Sequence, residues 1–360
     1  MKYTQHNPLP LPESGPSRAV TSTLDTIFDW QYDLNQQNLL ALYEKGKAAT
    51  WNATDLDWSI DVDMEALARG RAGSYQIFNQ MLNPPHPMDE KQSIEFNLNM
   101  NAWMLSQFLH GEQGALLATA KIVQGAPLEE AKWYAANQVA DEARHVEVYH
   151  RYLTEKLGRS FEVNPHLETL LDQIISDSRW DMTYLGMQIM VEGLALAAFG
   201  LMKIQMPDEP LILDITTRIM NDESRHVAFG VLSLEDLYTK ELSAAELRER
   251  EDFVIEATHL MRDRLLMEQV YERMNFDVKT WTEWAKHTPF MHGFRQMLFS
   301  KIVPNLKRLG LLTPRVREEY AKLGLLQFEH LKDSTEDPGV TPPAELVNFL
   351  TQLREAGAPA

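Results

Sequence analysis

The chain reads ADEARHV at residues 140–146 and NDESRHV at residues 221–227. The block Asp-Glu-x-Arg-His-Val is therefore written twice. On a helix, residues three apart share a face. Glu142 with His145, and Glu223 with His226, each present one carboxylate and one imidazole to the same side. A lone Glu-x-x-His is usually a solvated pair. Two copies with a shared Asp, Arg and Val ask for a common purpose.

The flanking sequence predicts what stands opposite each block. Helices read over 91–124 and 128–157 meet at QGAP, and helices over 179–205 and 210–239 meet at MPDEP. Glu112 and Glu142 lie at equal distance from Pro127 in the first turn, roughly 22 Å at 1.5 Å per residue. Glu192 and Glu223 straddle the second turn in the same way. The intervals from Glu112 to Glu192, Glu142 to Glu223 and His145 to His226 agree to within one residue. Two like hairpins, packed face to face, bring four carboxylates and two imidazoles to one level of a four-helix core.

The neighbours three, four and seven positions away are apolar. They include Leu105, Phe108 and Ala115 around Glu112, Ile189, Leu196 and Phe199 around Glu192, and Ile219, Met220 and Val227 around Glu223. Four uncompensated carboxylates in such surroundings are strongly unfavourable. Two divalent cations would cancel their charge. Mixed carboxylate and imidazole ligation suits iron or manganese, whereas magnesium and calcium rarely take imidazole.

Composition narrows the alternatives. The chain has 360 residues, no cysteine and a formal net charge of −18. Disulfides, thiolate zinc sites, cysteine nucleophiles and cysteine-ligated iron–sulfur clusters are excluded. Electrons for redox chemistry must then come from another protein or a diffusible reductant. The negative balance argues against nucleic acid and anionic lipid as partners. The N-terminal MKYTQHNPLPLPESGPS has no apolar signal segment, so a cytoplasmic protein is expected. The stretch YLGMQIMVEGLALAAFGLM at 184–202 is apolar enough to suggest a membrane span, but Gln188 and Glu192 lie in its middle. A buried core helix is the better reading, and no membrane partner is expected.

The motifs HGEQGALLATA, DEARHVEVY, IMVEGLALAAFG and NDESRHVAFG resemble the ferritin-like di-iron carboxylate superfamily. Within it the chain resembles the ribonucleotide reductase small subunit and the hydroxylases of bacterial multicomponent monooxygenases. The resemblance spans about 91 to 240 and implies an all-α fold, a ferritin-like four-helix bundle core with extra flanking helices. It implies Glu112, Glu142, His145, Glu192, Glu223 and His226 as metal ligands. It gives Asp141 and Asp222 the role of accepting the far ring N–H of a ligand histidine, and Arg144 and Arg225 that of holding those carboxylates. Tyr149, one turn after His145, matches the offset of the radical tyrosine of the reductase subunit; an ordinary core tyrosine is the preferred reading.

The implied cofactor is two iron ions, alternatively a manganese–iron pair. The implied activity is O2 activation and oxidation of a small hydrophobic or aromatic organic substrate, a monooxygenase or hydroxylase, with an electron-donor protein or reductant and a homodimer as the expected assembly. The alternatives are a radical-holding or metal-handling protein of the reductase type, and an arylamine N-oxygenase. Two departures bear on these. The first ligand is Glu112 where the reductase subunit commonly has Asp. Ile219 stands where the p-aminobenzoate N-oxygenases carry a third histidine.

Three regions are expected: an N-terminal arm with flanking helices over 1–90, the dimetal bundle over 91–330, and a linker with a short C-terminal helix over 331–360. Further helices are read near 24–48, 63–82, 167–177, 243–268, 288–308, 314–323 and 343–354. Gly111, Gly114 and Gly193 either leave room beside the metals or permit close helix packing; packing is preferred. His110 points to another face and reads as structural.

Overall fold

The computed structural model describes residues 18–30, 32–63, 83–205 and 209–337; the expected helices at 63–82 and 343–354 fall essentially outside them. The fold is all-α, with no strand among the described residues. Two long helices open the core. α2 (Glu90–Gly125) starts at Asp89, whose carboxylate accepts from the Gln92 N–H while Gln92 reaches back. α3 (Glu129–Arg151) returns antiparallel along it and continues through a π-helical turn, Tyr152–Leu157, to the left-handed Gly158. The preceding α1 (Gln37–Ala48) lies across the second hairpin as well as α3.

After α4 (Pro165–Ser176), the second hairpin begins with α5 (Trp180–Tyr184), a π-helical stretch Leu185–Val191, and α6 (Glu192–Gln205). The apolar window within Trp180–Lys203 is 94% buried, which makes this segment the central core helix of the bundle. α7 (Pro210–Asp236) pairs with it. Glu209 caps α7 by accepting from the Leu211 and Ile212 N–H groups, and it also accepts from the Tyr152 hydroxyl at 2.7 Å. One carboxylate thereby ties the start of the second hairpin to the end of the first.

Outer helices close the core: α8 (Ala244–Asp263), α9 (Glu268–Arg273), α10 (Val278–His287), α11 (Pro289–Met297), α12 (Ile302–Arg308) and α13 (Pro314–Lys322). The differences from the sequence reading have local causes. The helix expected near 24–48 begins only at Gln37. Residues 18–30 and 32–36 form an arm without regular structure, and the Ile27 N–H donates to the Gln124 carbonyl at the end of α2. The helix expected over 243–268 stops at Asp263, because Met267 takes a left-handed conformation (φ 56°). The helix expected over 288–308 is broken by a tight turn at Leu298–Ser300. α10 is missing from the sequence reading altogether.

Candidate metal centre

The two hairpins bring the six predicted side chains together. Glu112 comes from α2, Glu142 and His145 from α3, Glu192 from the first turn of α6, and Glu223 and His226 from α7. None is more than 4% exposed. They form two groups, Glu112–Glu142–His145–Glu223 and Glu142–Glu192–His226, in each of which the candidate ligand atoms lie within 4.8 Å of one another. The two groups are positioned to chelate a pair of metal ions.

The imidazole Nδ1 atoms face inward. His145 Nδ1 lies 3.2 Å from Glu112 Oε2, 3.4 Å from Glu142 Oε2 and 3.3 Å from Glu223 Oε1. His226 Nδ1 lies 3.1 Å from Glu142 Oε1 and 3.5 Å from Glu223 Oε1. Glu142 and Glu223 thus stand between the two rings. Glu112 is placed on the His145 side and Glu192 on the His226 side.

The Nε2 atoms point outward to aspartates. His145 donates to Asp222 Oδ2 at 3.2 Å and His226 to Asp141 Oδ2 at 3.3 Å. Arg144 donates to Asp141 and Arg225 to Asp222. An N–H facing a carboxylate on Nε2 leaves the Nδ1 lone pair for the interior.

Two residues escaped the sequence reading. Gln138 donates through Nε2 to Glu142 Oε1 (3.0 Å) and to Glu192 Oε1 (2.9 Å). It precedes Glu142 by one helical turn, so its face was readable, although its second partner was not. The Trp51 indole N–H donates to Asp222 Oδ2 at 2.7 Å. Trp51 follows α1 and belongs to no repeat, so no local signal pointed to it.

Electrostatics fit a cation pair. Burial, then the charges of neighbouring glutamates, pushes Glu192 well above the ordinary carboxylate range. Glu112 is raised as well, by burial first, with the His145 charge opposing. Burial acts on Glu142 in the same direction, but the His226 charge, joined by that of His145, outweighs it and holds this carboxyl low. Burial disfavours charge on both histidines. The facing carboxylates, led by Glu112 for His145 and by Glu142 for His226, overcome it and raise both rings well above their usual value. Asp222 lies at about 2: burial opposes ionisation, and the His145 hydrogen bond and charge override it. Glu142 Oε2, Glu192 Oε2, both Glu223 oxygens and His226 Nδ1 have no hydrogen-bond partner. Buried polar atoms are rarely left in this condition, and cation ligation would satisfy this set.

A narrow cavity of about 20 Å³, room for about one water molecule and partly open to solvent, adjoins the cluster. Glu112, Glu192 and Glu223 share its wall with Phe108, Ala115 and Val191. The three glycines divide. A Cβ on Gly114 would lie 2.4 Å from Leu171 Cδ2 and one on Gly193 3.1 Å from Ile302 Cγ1, so both serve close packing. A Cβ on Gly111 would meet nothing within 4 Å, and Gly111 lines the cavity. His110 accepts its structural reading: Nε2 donates to the Phe161 carbonyl at 2.9 Å.

Tyr149 is fully buried, and its hydroxyl has no hydrogen-bond partner. Its ring packs against Phe108 (centroids 5.9 Å apart) and Phe199 (6.2 Å). Burial and then the Glu112 charge raise its pKa well above the usual phenol value.

No family model matches the chain, and no curated protein matches it. Among solved structures it is similar to a valine-to-isoleucine variant of an R2-like ligand-binding oxidase with anaerobically reconstituted Mn/Fe cofactor. The identity is 18%, over 78% of this chain and 94% of that one, with a TM-score of 0.45. A tyrosine-to-phenylalanine variant of an R2-like ligand-binding oxidase with aerobically reconstituted Mn/Fe cofactor matches at 16% identity, over 75% and 94% of the two chains, with a TM-score of 0.42. An R2-like ligand-binding oxidase with aerobically reconstituted Mn/Fe cofactor matches at 14%, over 91% and 93%, with a TM-score of 0.39.

Proposed function

We propose that this protein is an O2-activating dimetal oxidase. Its metals, two irons or one manganese and one iron, would be held by Glu112, Glu142, His145, Glu192, Glu223 and His226. The observation that carries the reading is the set of orphaned inward-facing oxygen and nitrogen atoms at the meeting of the two hairpins. Bound there, two redox-active metals supply electrons to O2. Glu142 and Glu223, which stand between the imidazoles, would help to hold the pair from the middle, with Glu112 on the His145 side and Glu192 on the His226 side. Asp141 and Asp222 fix the imidazole orientation through Nε2, and Arg144 and Arg225 hold those aspartates. Phe108, Ala115 and Val191 give the adjoining cavity an apolar wall, which limits the water beside a reactive oxidant. A small organic molecule held beside the metals is the oxidisable substrate, and the reducing equivalents come from an external donor.

A second reading is supported by Tyr149. A buried phenol with no hydrogen-bond partner, caged by two phenylalanines and within the electrostatic reach of Glu112, suits storage of a one-electron oxidising equivalent. On that reading the protein holds a radical and needs no substrate turnover.

The test is metal analysis of the purified protein, followed by anaerobic loading with Fe(II), or Fe(II) and Mn(II), and admission of air. Two metals per chain and an O2-dependent change in absorption are expected. A folded protein that stays metal-free after reconstitution would overturn the proposal. Substrate-dependent O2 uptake selects the oxygenase; a tyrosyl signal in electron paramagnetic resonance, lost in Tyr149→Phe, selects the radical reading.

A further inference from the structure

The outer helices enclose a cleft of about 240 Å³, partly open to solvent, that shares no residue with the metal cluster. Its size falls just below the roughly 300–1,000 Å³ of ordinary small-molecule sites. The chain as a whole has a net charge of −18. The wall of this cleft has the opposite balance: Arg262 from α8, Lys286 from α10, Arg295 from α11 and Lys322 from α13 stand against one carboxylate, Asp263. Lys286 pairs with Glu283, and Lys322 with Glu318 and Glu319, but none of these three carboxylates lines the cleft.

Arg295 is the decisive residue, with only 5% of its surface exposed. Its Nε donates to the Met291 carbonyl at 3.2 Å, and its Nη2 to the Lys286 carbonyl at 2.9 Å in the last turn of α10. Among the described residues no carboxylate pairs with it, whereas the equally buried Arg250 forks onto Asp181. Asp263 is taken by Arg262, through Nε at 2.7 Å and Nη2 at 2.9 Å. Among the described residues, Nη1 of both Arg262 and Arg295 is left without a partner, and neither is walled off from solvent. The two guanidiniums also repel. Burial first, then the Arg262 charge, lowers the pKa of Arg295, with Asp263 opposing. Arginine cannot relieve such a conflict by giving up its proton, and an anion in the cleft offsets it.

The donors and the charge surplus select the anion. Guanidinium forks and lysine ammonium groups are the side chains that hold phosphate oxygens. Four cations against one carboxylate suit a dianion better than a monoanion. Phe299, Leu323 and Leu325 complete the wall with apolar surface, which suits a ligand with an apolar or aromatic body.

We propose that this cleft is a second ligand site, which takes a small phosphomonoester. Arg262 and Arg295 hold the phosphoryl oxygens, the half-exposed Lys286 and Lys322 add charge, and the organic body rests on the apolar side chains. The site stands independently of the dimetal reading.

The experiment titrates phenyl phosphate, phenyl sulfate and inorganic phosphate separately into the full-length protein by calorimetry, with metal content measured on the same samples. At about pH 8 a phosphomonoester carries close to two charges and the sulfate ester one. Phenyl phosphate should bind at least about tenfold more tightly than either of the other two. Arg295→Met should leave the metal content unchanged and weaken phenyl phosphate by on the order of 30-fold or more. Arg262→Met, at a side chain one-third exposed, should weaken it about tenfold and decides the matter should Arg295→Met not fold. No binding to wild type, or wild-type affinity in the folded variants, would overturn the proposal. Equal affinity for phenyl phosphate and phenyl sulfate, or for phenyl phosphate and inorganic phosphate, would overturn it as well. Binding that survives both substitutions but disappears when metal is removed would place the ligand at the dimetal centre and overturn it too.

Discussion

The imidazole of His145 is anchored by Asp222, a carboxylate from the other hairpin, at 3.2 Å. The relationship is reciprocal, since His226 takes Asp141 of the first hairpin at 3.3 Å. Each hairpin therefore orients the other's histidine, and the two halves of the core are locked together at the level of the site. Arg144 and Arg225 hold the aspartates from within their own helices.

Asp222→Asn removes the charge that favours a proton on His145 Nε2 and leaves Nδ1 as lone-pair donor. Metal affinity should fall about 10- to 100-fold, and Asp141→Asn should act equally on the His226 side. Competition with a chelator, followed by metal analysis, reads the loss. Wild-type retention in both variants would mean that the crossed pairs do not support ligation.

Glu192→Ala and His226→Ala each remove a donor from the Glu142–Glu192–His226 group. Both should bind fewer than two metals per chain. Full occupancy in both variants would contradict the ligand assignment.

Metal binding should release protons. In the metal-free site His145 and His226 hold protons above their usual range, and Glu112 and Glu192 do likewise. A metal must displace these protons, so affinity rises as pH increases from about 6 to about 8. Calorimetric metal titrations in buffers of different ionisation enthalpy measure the released protons. A pH-independent affinity with no proton release would contradict the site's electrostatics.

Gly111→Ala and Gly114→Ala, three residues apart on α2, should move stability in opposite directions. A methyl on Gly111 enters open space, and alanine gains up to about 1 kcal/mol of helix propensity. A methyl on Gly114 drives into Leu171 and should cost about 1–3 kcal/mol through overpacking. Urea denaturation of the two variants separates them. Equal effects would show that the cavity wall at Gly111 is closed in solution.

Both variants bear on what the sequence alone could say. Spacing could not tell which glycine serves packing and which lines a cavity, because the answer depends on whether Leu171 of α4 lies opposite. The helix ends were legible where a residue marks them locally, as at Asp89, Pro165, Pro210 and Ser243. The break at Met267 was not, because a left-handed methionine carries no compositional mark.

The donor set was determined by the sequence itself. Helical periodicity is local, so Glu-x-x-His defines a face, and equal distances from two turns put Glu112 beside Glu142 and Glu192 beside Glu223. Tertiary structure decided how those faces engage. The rotation of one hairpin against the other made Asp222 the partner of His145 and set Glu142 and Glu223 between the imidazoles. It also gave Gln138 its second carboxylate. The packing of α1 delivered Trp51 to Asp222, and the outer helices delivered Arg295 to the cleft it shares with Arg262. These contacts join residues far apart in the chain through packing geometry, and no repeat or period in the sequence encodes them.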